Sequence, residues 1–117
     1  MLNLNSSSLK IFLNPQATDL RKSISGLSAL VEHQWKLNPF SGHLFLFCNR
    51  RCNLMKALYW DQNGFCLWMK RLEEDRFLWP KQPSDTPLTI TGKQLEWLLA
   101  GLDLTQAFPK RSYQFTA

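Results

Sequence analysis

A chain of 117 residues, 44% hydrophobic and 13% aromatic with five tryptophans, can bury one core and is too apolar to be disordered throughout. Fourteen Lys and Arg against nine Asp and Glu leave a formal charge of +5, which favours an acidic partner such as nucleic acid. No apolar run approaches the roughly 20 residues a membrane helix needs, and three cysteines without a signal-like N-terminus point to a reducing cytoplasm without disulfides.

The expected organisation is a single domain over residues 1–117, with 1–10 and 105–117 as loosely ordered tails. The first helix is expected from Thr18, where Leu20, Ile24, Leu27 and Val31 recur at helical spacing, Thr18 caps and Asp19 sits in the first turn. Pro39 and Gly42 in "KLNPFSG" mark the loop that ends it.

Strand vocabulary follows. "HLFLFC" (43–48), "LMKALYW" (54–60), "FCLWMKR" (65–71) and "RFLWP" (76–80) are rich in aromatic and large apolar residues and are separated by turn residues. They predict a four-stranded antiparallel meander. Asn63-Gly64 is the hairpin signal of its middle turn. That hairpin gathers Leu58, Trp60, Phe65, Leu67 and Met69 on one face, read as core. Ala57, Tyr59, Cys66, Trp68 and Lys70 share the other, which is either covered by a second layer or open as a platform; Tyr59 and Trp68 are its candidate interface residues. After the Pro-rich "KQPSDTP", a second helix is expected, with Thr91 and Gln94 as a capping box and Leu95, Leu98, Leu99 and Leu102 as its apolar stripe. The fold class is therefore α+β, the meander packed with an N-terminal and a C-terminal helix.

The cysteines do not read as a metal site. Zinc asks for four ligands, usually two tight pairs, and here Cys48 and Cys52 form one pair while Cys66, His33 and His43 stand on separate predicted elements. Cys66 is a small strand hydrophobe, and Cys48 and Cys52 flank a turn whose tip is Arg50-Arg51. No metal or other cofactor is expected.

Long guanidinium side chains at a turn tip can form bidentate contacts with phosphate. Arg50 and Arg51 lead the DNA-binding candidates with Lys70 and Arg71, followed by Arg21, Lys22 and Arg76; Lys110-Arg111 is a further basic pair. Each pair alone is more often a solvated face, and "KRLEEDR" does interleave its cations with Glu73, Glu74 and Asp75. Catalysis is not expected: there is no phosphate loop, nucleophile elbow or zinc-protease helix, and each carboxylate has an ordinary place in a turn or a helix's first turn.

The strings "DLRKSISGLSALV" (19–31), "NPFSGHLFLFCNRR" (38–51), "LYWDQNGFCLWMKRLEEDRFLWP" (58–80) and "LTITGKQLEWLLAGLDL" (88–104) resemble, taken together, the small TnpB-type accessory proteins of insertion sequences of the sixty-six family. These are distinct from the RNA-guided nucleases that share the name TnpB. The resemblance implies a bacterial, non-catalytic accessory to DNA transposition. Its partners would be DNA, the element's ends included, a separate transposase and the element's other accessory protein. It carries over no catalytic or ligand residues. An adaptor that binds the transposase with little contact to DNA is the alternative.

Overall fold

Five consecutive residues, LFLFC, are buried on both sides, and such a run is stable only inside a sheet covered on both faces. In the computed structural model, which describes residues 8–102, this run is the middle strand of a five-stranded sheet. The elements are β1 (Ile11–Leu13), α1 (Ile24–Ala29), β2 (Leu44–Cys48), β3 (Leu54–Asp61), β4 (Gly64–Arg71), β5 (Leu88–Ile90) and α2 (Gly92–Leu99). The strand order is β4-β3-β2-β1-β5. β1 runs parallel to β2, and every other neighbouring pair is antiparallel. The Ser-rich residues before Ser8, the tail from residue 105 and the Lys110-Arg111 pair lie outside the described residues.

The α+β class and the two flanking helices hold, but the sheet is not a four-stranded antiparallel meander. Only β2, β3 and β4 form one. "RFLWP" buries its rings without pairing: Phe77 and Trp79 cross one face of the sheet, where Phe77 N–H donates to the Cys52 carbonyl at 2.7 Å. Trp79 Nε1–H donates to the Asn14 carbonyl, also at 2.7 Å. The two further strands, β1 and β5, have three residues each and pair with one another, Ile11 opposite Ile90.

Alternation along the strands divides the core in two. On one face Ile11, Leu13, Leu44, Leu46, Met55 and Ala57 meet Leu95 and Leu98 of α2, together with Phe77 and Trp79. The opposite face carries Phe45, Phe47 and Leu58 against Leu27 and Val31 of the first helix, with Trp35 stacked on Phe47 at 5.4 Å between ring centroids. The face of Tyr59 and Trp68 is thus the side of α2, which covers Met55 and Ala57 but leaves Trp68 exposed; on the other face Met69, expected in the core, is exposed too, because it lies on the outermost strand beyond the reach of the first helix. The register agrees with the expected sides, Leu58 opposite Leu67 and Tyr59 opposite Cys66.

Thr18 does not cap the first helix. It is buried, its N–H donates to the Cys48 carbonyl and its Oγ1 accepts from Asn14 Nδ2, so the hydroxyl anchors a loop to the end of β2. The helix begins later, after Ser23, and from Leu30 to Gln34 widens into a π-helix. Lys36 follows at a φ of 57°, the left-handed position that reverses the chain, and Leu37 N–H reaches back to the Val31 carbonyl. α2 starts as expected: Thr91 Oγ1 accepts from Gln94 N–H at 3.0 Å while Gln94 Oε1 accepts from Thr91 N–H at 2.9 Å.

The β3–β4 turn lies one residue earlier than its Asn-Gly signal. Asp61 pairs with Gly64, so Gln62 and Asn63 are the loop, and the positive φ, 55°, falls on Gln62.

Candidate nucleic-acid interface

The stretch "FCNRRCN" joins β2 to β3 through a turn whose geometry is set by its asparagines. Cys52 N–H closes the turn on the Asn49 carbonyl at 3.1 Å, and Cys52 itself takes a φ of 58°. Asn49 Oδ1 accepts from the N–H groups of Asn53 and Leu54, and Asn49 Nδ2 donates to Asn53 Oδ1 at 2.7 Å. Short amide side chains that bond their own backbone fix turns in this way. The consequence is a braced tip whose two central residues, Arg50 and Arg51, both project into water.

The tip forms one side of a cleft of about 730 Å³. Its other walls come from residues 17–21, from Leu54 and Lys56 on β3, and from Met69 and Arg71 on β4. Residues 17–21 are brought there by the Thr18 bond to the end of β2. Arg21, Arg50, Arg51, Lys56 and Arg71 line the cleft, against Asp19 as the one carboxylate.

The five cations are not equivalent. Arg21 holds Asp19 with its fork, Nε to Oδ1 at 2.9 Å and Nη2 to Oδ2 at 2.7 Å, and this bonding holds the Asp19 carboxyl far below the usual carboxylate range. Lys56 Nζ donates to the Leu20 carbonyl at 2.8 Å. Arg50, Arg51 and Arg71 form no ion pair among the described residues, so their guanidinium forks are open to a ligand.

The remaining sequence-derived candidates lie elsewhere. Lys70 is on the opposite face of β4, where its Nζ donates to the Leu99 carbonyl at the C-terminal end of α2, a place that favours a cation. Lys22 is exposed beside the cleft without lining it, and its stem lies over Gly26, where a Cβ would come within 3.1 Å of Lys22 Cβ. Arg76 is exposed on the segment that crosses the α2 face. Lys56 was missed by sequence reasoning. Its signal was a lysine in the register of the core-facing residues of β3, pairing with Met69 across the ladder.

On the α2 side, Tyr59 and Trp68 border an apolar pocket of about 210 Å³ with Met55, Ala57, Leu95 and Leu99. Trp68 is 47% exposed there, whereas Trp35 and Trp79 are buried. Burial, and after it a hydrogen bond with Cys66 across the ladder, raises the Tyr59 phenol above its ordinary pKa. All three cysteines are free thiols. Burial pushes the Cys48 thiol far up, with Cys52 beside it adding to the effect, so Cys48 behaves as a core hydrophobe. Among the described residues no group of three or more His, Cys, Asp or Glu could hold a metal ion, and no helix is long and apolar enough to cross a membrane.

The family model described as IS66 Orf2 like protein matches residues 9–108. The chain belongs to that family. The matched span takes in the whole cleft, both helices and every strand. IS66 Orf2-like proteins are accessory proteins of transposition systems, separate from the nucleases that bear the TnpB name. Two relatives from Sinorhizobium fredii share the chain's length as well as its sequence. The uncharacterized protein y4hO is 36% identical over 95 residues, covering 81% of this chain and 82% of that protein. The uncharacterized protein y4jC is 35% identical over 101 residues, covering 86% of each. No solved structure matches the chain.

Proposed function

We propose that this IS66 Orf2-like protein is a non-catalytic accessory of transposition that docks on DNA through phosphate contacts in the basic cleft. The observation that carries the reading is the placing of three uncommitted guanidiniums, Arg50, Arg51 and Arg71, around one cleft, two of them on a turn braced by Asn49. Forked donors held in place match the oxygens of successive phosphates, and contacts of that kind position a protein without reading sequence. Specificity for the element's ends would then rest with the transposase. The net charge of +5 adds long-range attraction.

The test is a salt titration of binding to the element's terminal repeat, a scrambled duplex and single strands. Phosphate docking gives a steep slope shared by both duplexes. Replacing Arg50 and Arg51 together by Ala lowers the slope by about two, one for each lost contact. An unchanged slope would remove the turn from the interface.

A second reading is supported by the other face, where Trp68 stands exposed beside an apolar pocket and Tyr59. Aromatic side chains of this kind concentrate in protein interfaces. In that reading the protein is an adaptor for the transposase. Capture of the purified transposase after nuclease treatment, lost on Trp68→Ala, would favour it.

A further inference from the structure

α2 covers its face of the sheet only in part. Between the helix and β4 lies the apolar pocket of about 210 Å³, walled by Leu95 and Leu99 on one side and by Tyr59 and Trp68 on the other. Trp68 stays 47% exposed beside it. One further apolar side chain seated there would take both the hollow and the indole out of water.

The chain itself leaves α2 at this spot. Lys70 Nζ donates to the Leu99 carbonyl at 3.2 Å, and Lys70 stands two residues from Trp68 on the same face of β4. Gly101, at a φ of 86°, then closes the helix: its N–H donates to the Leu98 carbonyl, and Leu102 N–H reaches back to the Trp97 carbonyl at 2.9 Å. This paired closure turns the chain off the helix axis.

The residues that follow suit the pocket. They read DLTQAF over 103–108, and then come Pro109, Lys110 and Arg111. Six residues past Leu102, Phe108 has a reach of up to about 20 Å, more than a pocket walled by Leu99 requires. A loop so short adds little closure entropy. The span matched by the family model also runs on through this stretch to Phe108.

Charge gives the segment a direction. β4 leads at its C-terminal end into Glu73, Glu74 and Asp75, all exposed. None of the three forms an ion pair among the described residues, since Lys70 is taken by Leu99 and Arg71 faces the cleft. Lys110 and Arg111 are the next cations after Phe108.

We infer that the segment after α2 folds back over the pocket within its own chain, seating Phe108 against Trp68, Tyr59 and Leu99 and laying Lys110 and Arg111 beside Glu73, Glu74 and Asp75. Phe108 supplies the holding contact, and the charges orient the segment, because exposed ion pairs contribute little each. The stretch expected from sequence to be a loose tail thus completes the layer over the sheet. This face lies opposite the cleft, so the inference does not rest on the DNA-binding reading. It sets a competitor on the surface that the adaptor reading needs.

Nuclear Overhauser contacts in the isotope-labelled full chain read the outcome, with the Phe108 ring signals assigned by their loss in Phe108→Ala. Contacts are expected from that ring to the Trp68 indole and the Leu99 methyls. In a mixture of labelled and unlabelled chains, none should cross from one copy to another. Lys110→Glu with Arg111→Glu should weaken the contacts, and adding Glu73→Lys with Glu74→Lys should restore them. A Phe108 ring without these contacts in the folded chain would leave the pocket to a partner and overturn the inference. Contacts found only between copies would overturn it too, by making a second chain the occupant, and contacts indifferent to the charge reversals would overturn the placing of Lys110 and Arg111.

Discussion

Asn49 and Asn53 hold each other twice: Asn49 Nδ2 donates to Asn53 Oδ1 at 2.7 Å, and Asn49 Oδ1 accepts from Asn53 N–H at 3.1 Å. The same Oδ1 takes the Leu54 N–H at 3.2 Å. Asn49→Ala removes all three bonds, with an expected cost of about 1–3 kcal/mol, since part-buried bonds in one network do not add fully. Urea unfolding should show a lower midpoint at constant m. Because Arg50 and Arg51 remain, DNA affinity should fall with the salt slope preserved. A slope that collapsed as it does on deleting the arginines would show that the asparagine acts on the ligand itself.

Asp19 competes with any anion for Arg21. Asp19→Asn breaks the ion pair, removes the one carboxylate of the cleft and releases the fork. DNA binding should tighten, and the salt slope should steepen by about one. Weaker binding by the folded variant would mean that Arg21 needs Asp19 for its position.

His43 accepts the Lys10 N–H on Nδ1 at 3.0 Å, a bond open only to the neutral ring. Burial, and after it the Lys10 charge, hold its pKa below the ordinary 6.5. The unfolded chain therefore takes up this proton first as pH falls. The stabilising contribution is whole above about pH 6.5 and is lost progressively below it, until the folded ring protonates too. His43→Asn offers Oδ1 to the same N–H and cannot titrate. Urea midpoints at about pH 7.5 and 5.5 should diverge more in the wild type than in the variant. An equal drop in both would assign the loss to other groups.

Two buried tryptophans differ in one hydrogen bond. Trp79 Nε1–H donates to the Asn14 carbonyl, whereas Trp35 Nε1 is buried without a partner. Trp79→Phe strands an acceptor and Trp35→Phe strands nothing, so the first should cost about 1–2 kcal/mol more than the second. Thermal melts of the two variants make the comparison. Equal costs would mean that ring volume alone sets the penalty.

What the sequence disclosed follows the range of its signals. Strands of five to eight residues announce themselves as aromatic and large apolar runs between turn residues, and a capping box lies within four residues, so β2, β3, β4 and the start of α2 were legible. β1 and β5 were not, because three residues carry no period and each is a strand only through its partner, Phe12 opposite Thr89. Thr18 looked like a cap because local reading offers a hydroxyl nothing better; its real partners are Asn14 and the distant Cys48. Phe77 and Trp79 read as strand because burial against a sheet and pairing within one select the same residues. At the cleft, Arg50 and Arg51 stood out as a basic pair between two strands. The meeting of Arg21 with Arg71 could not, since it depends on how the loop after β1 returns to the sheet.

The residues that line the cleft all fall between Ala17 and Arg71, whereas the covering of the opposite face, from Phe77 to Leu98, follows later in the chain. A ribosome working at about 5–20 residues per second releases the cationic surface a few seconds before the segment that closes the back of the sheet. In the nascent protein the cationic surface is therefore complete in sequence before the segment that closes the hydrophobic interior has been made.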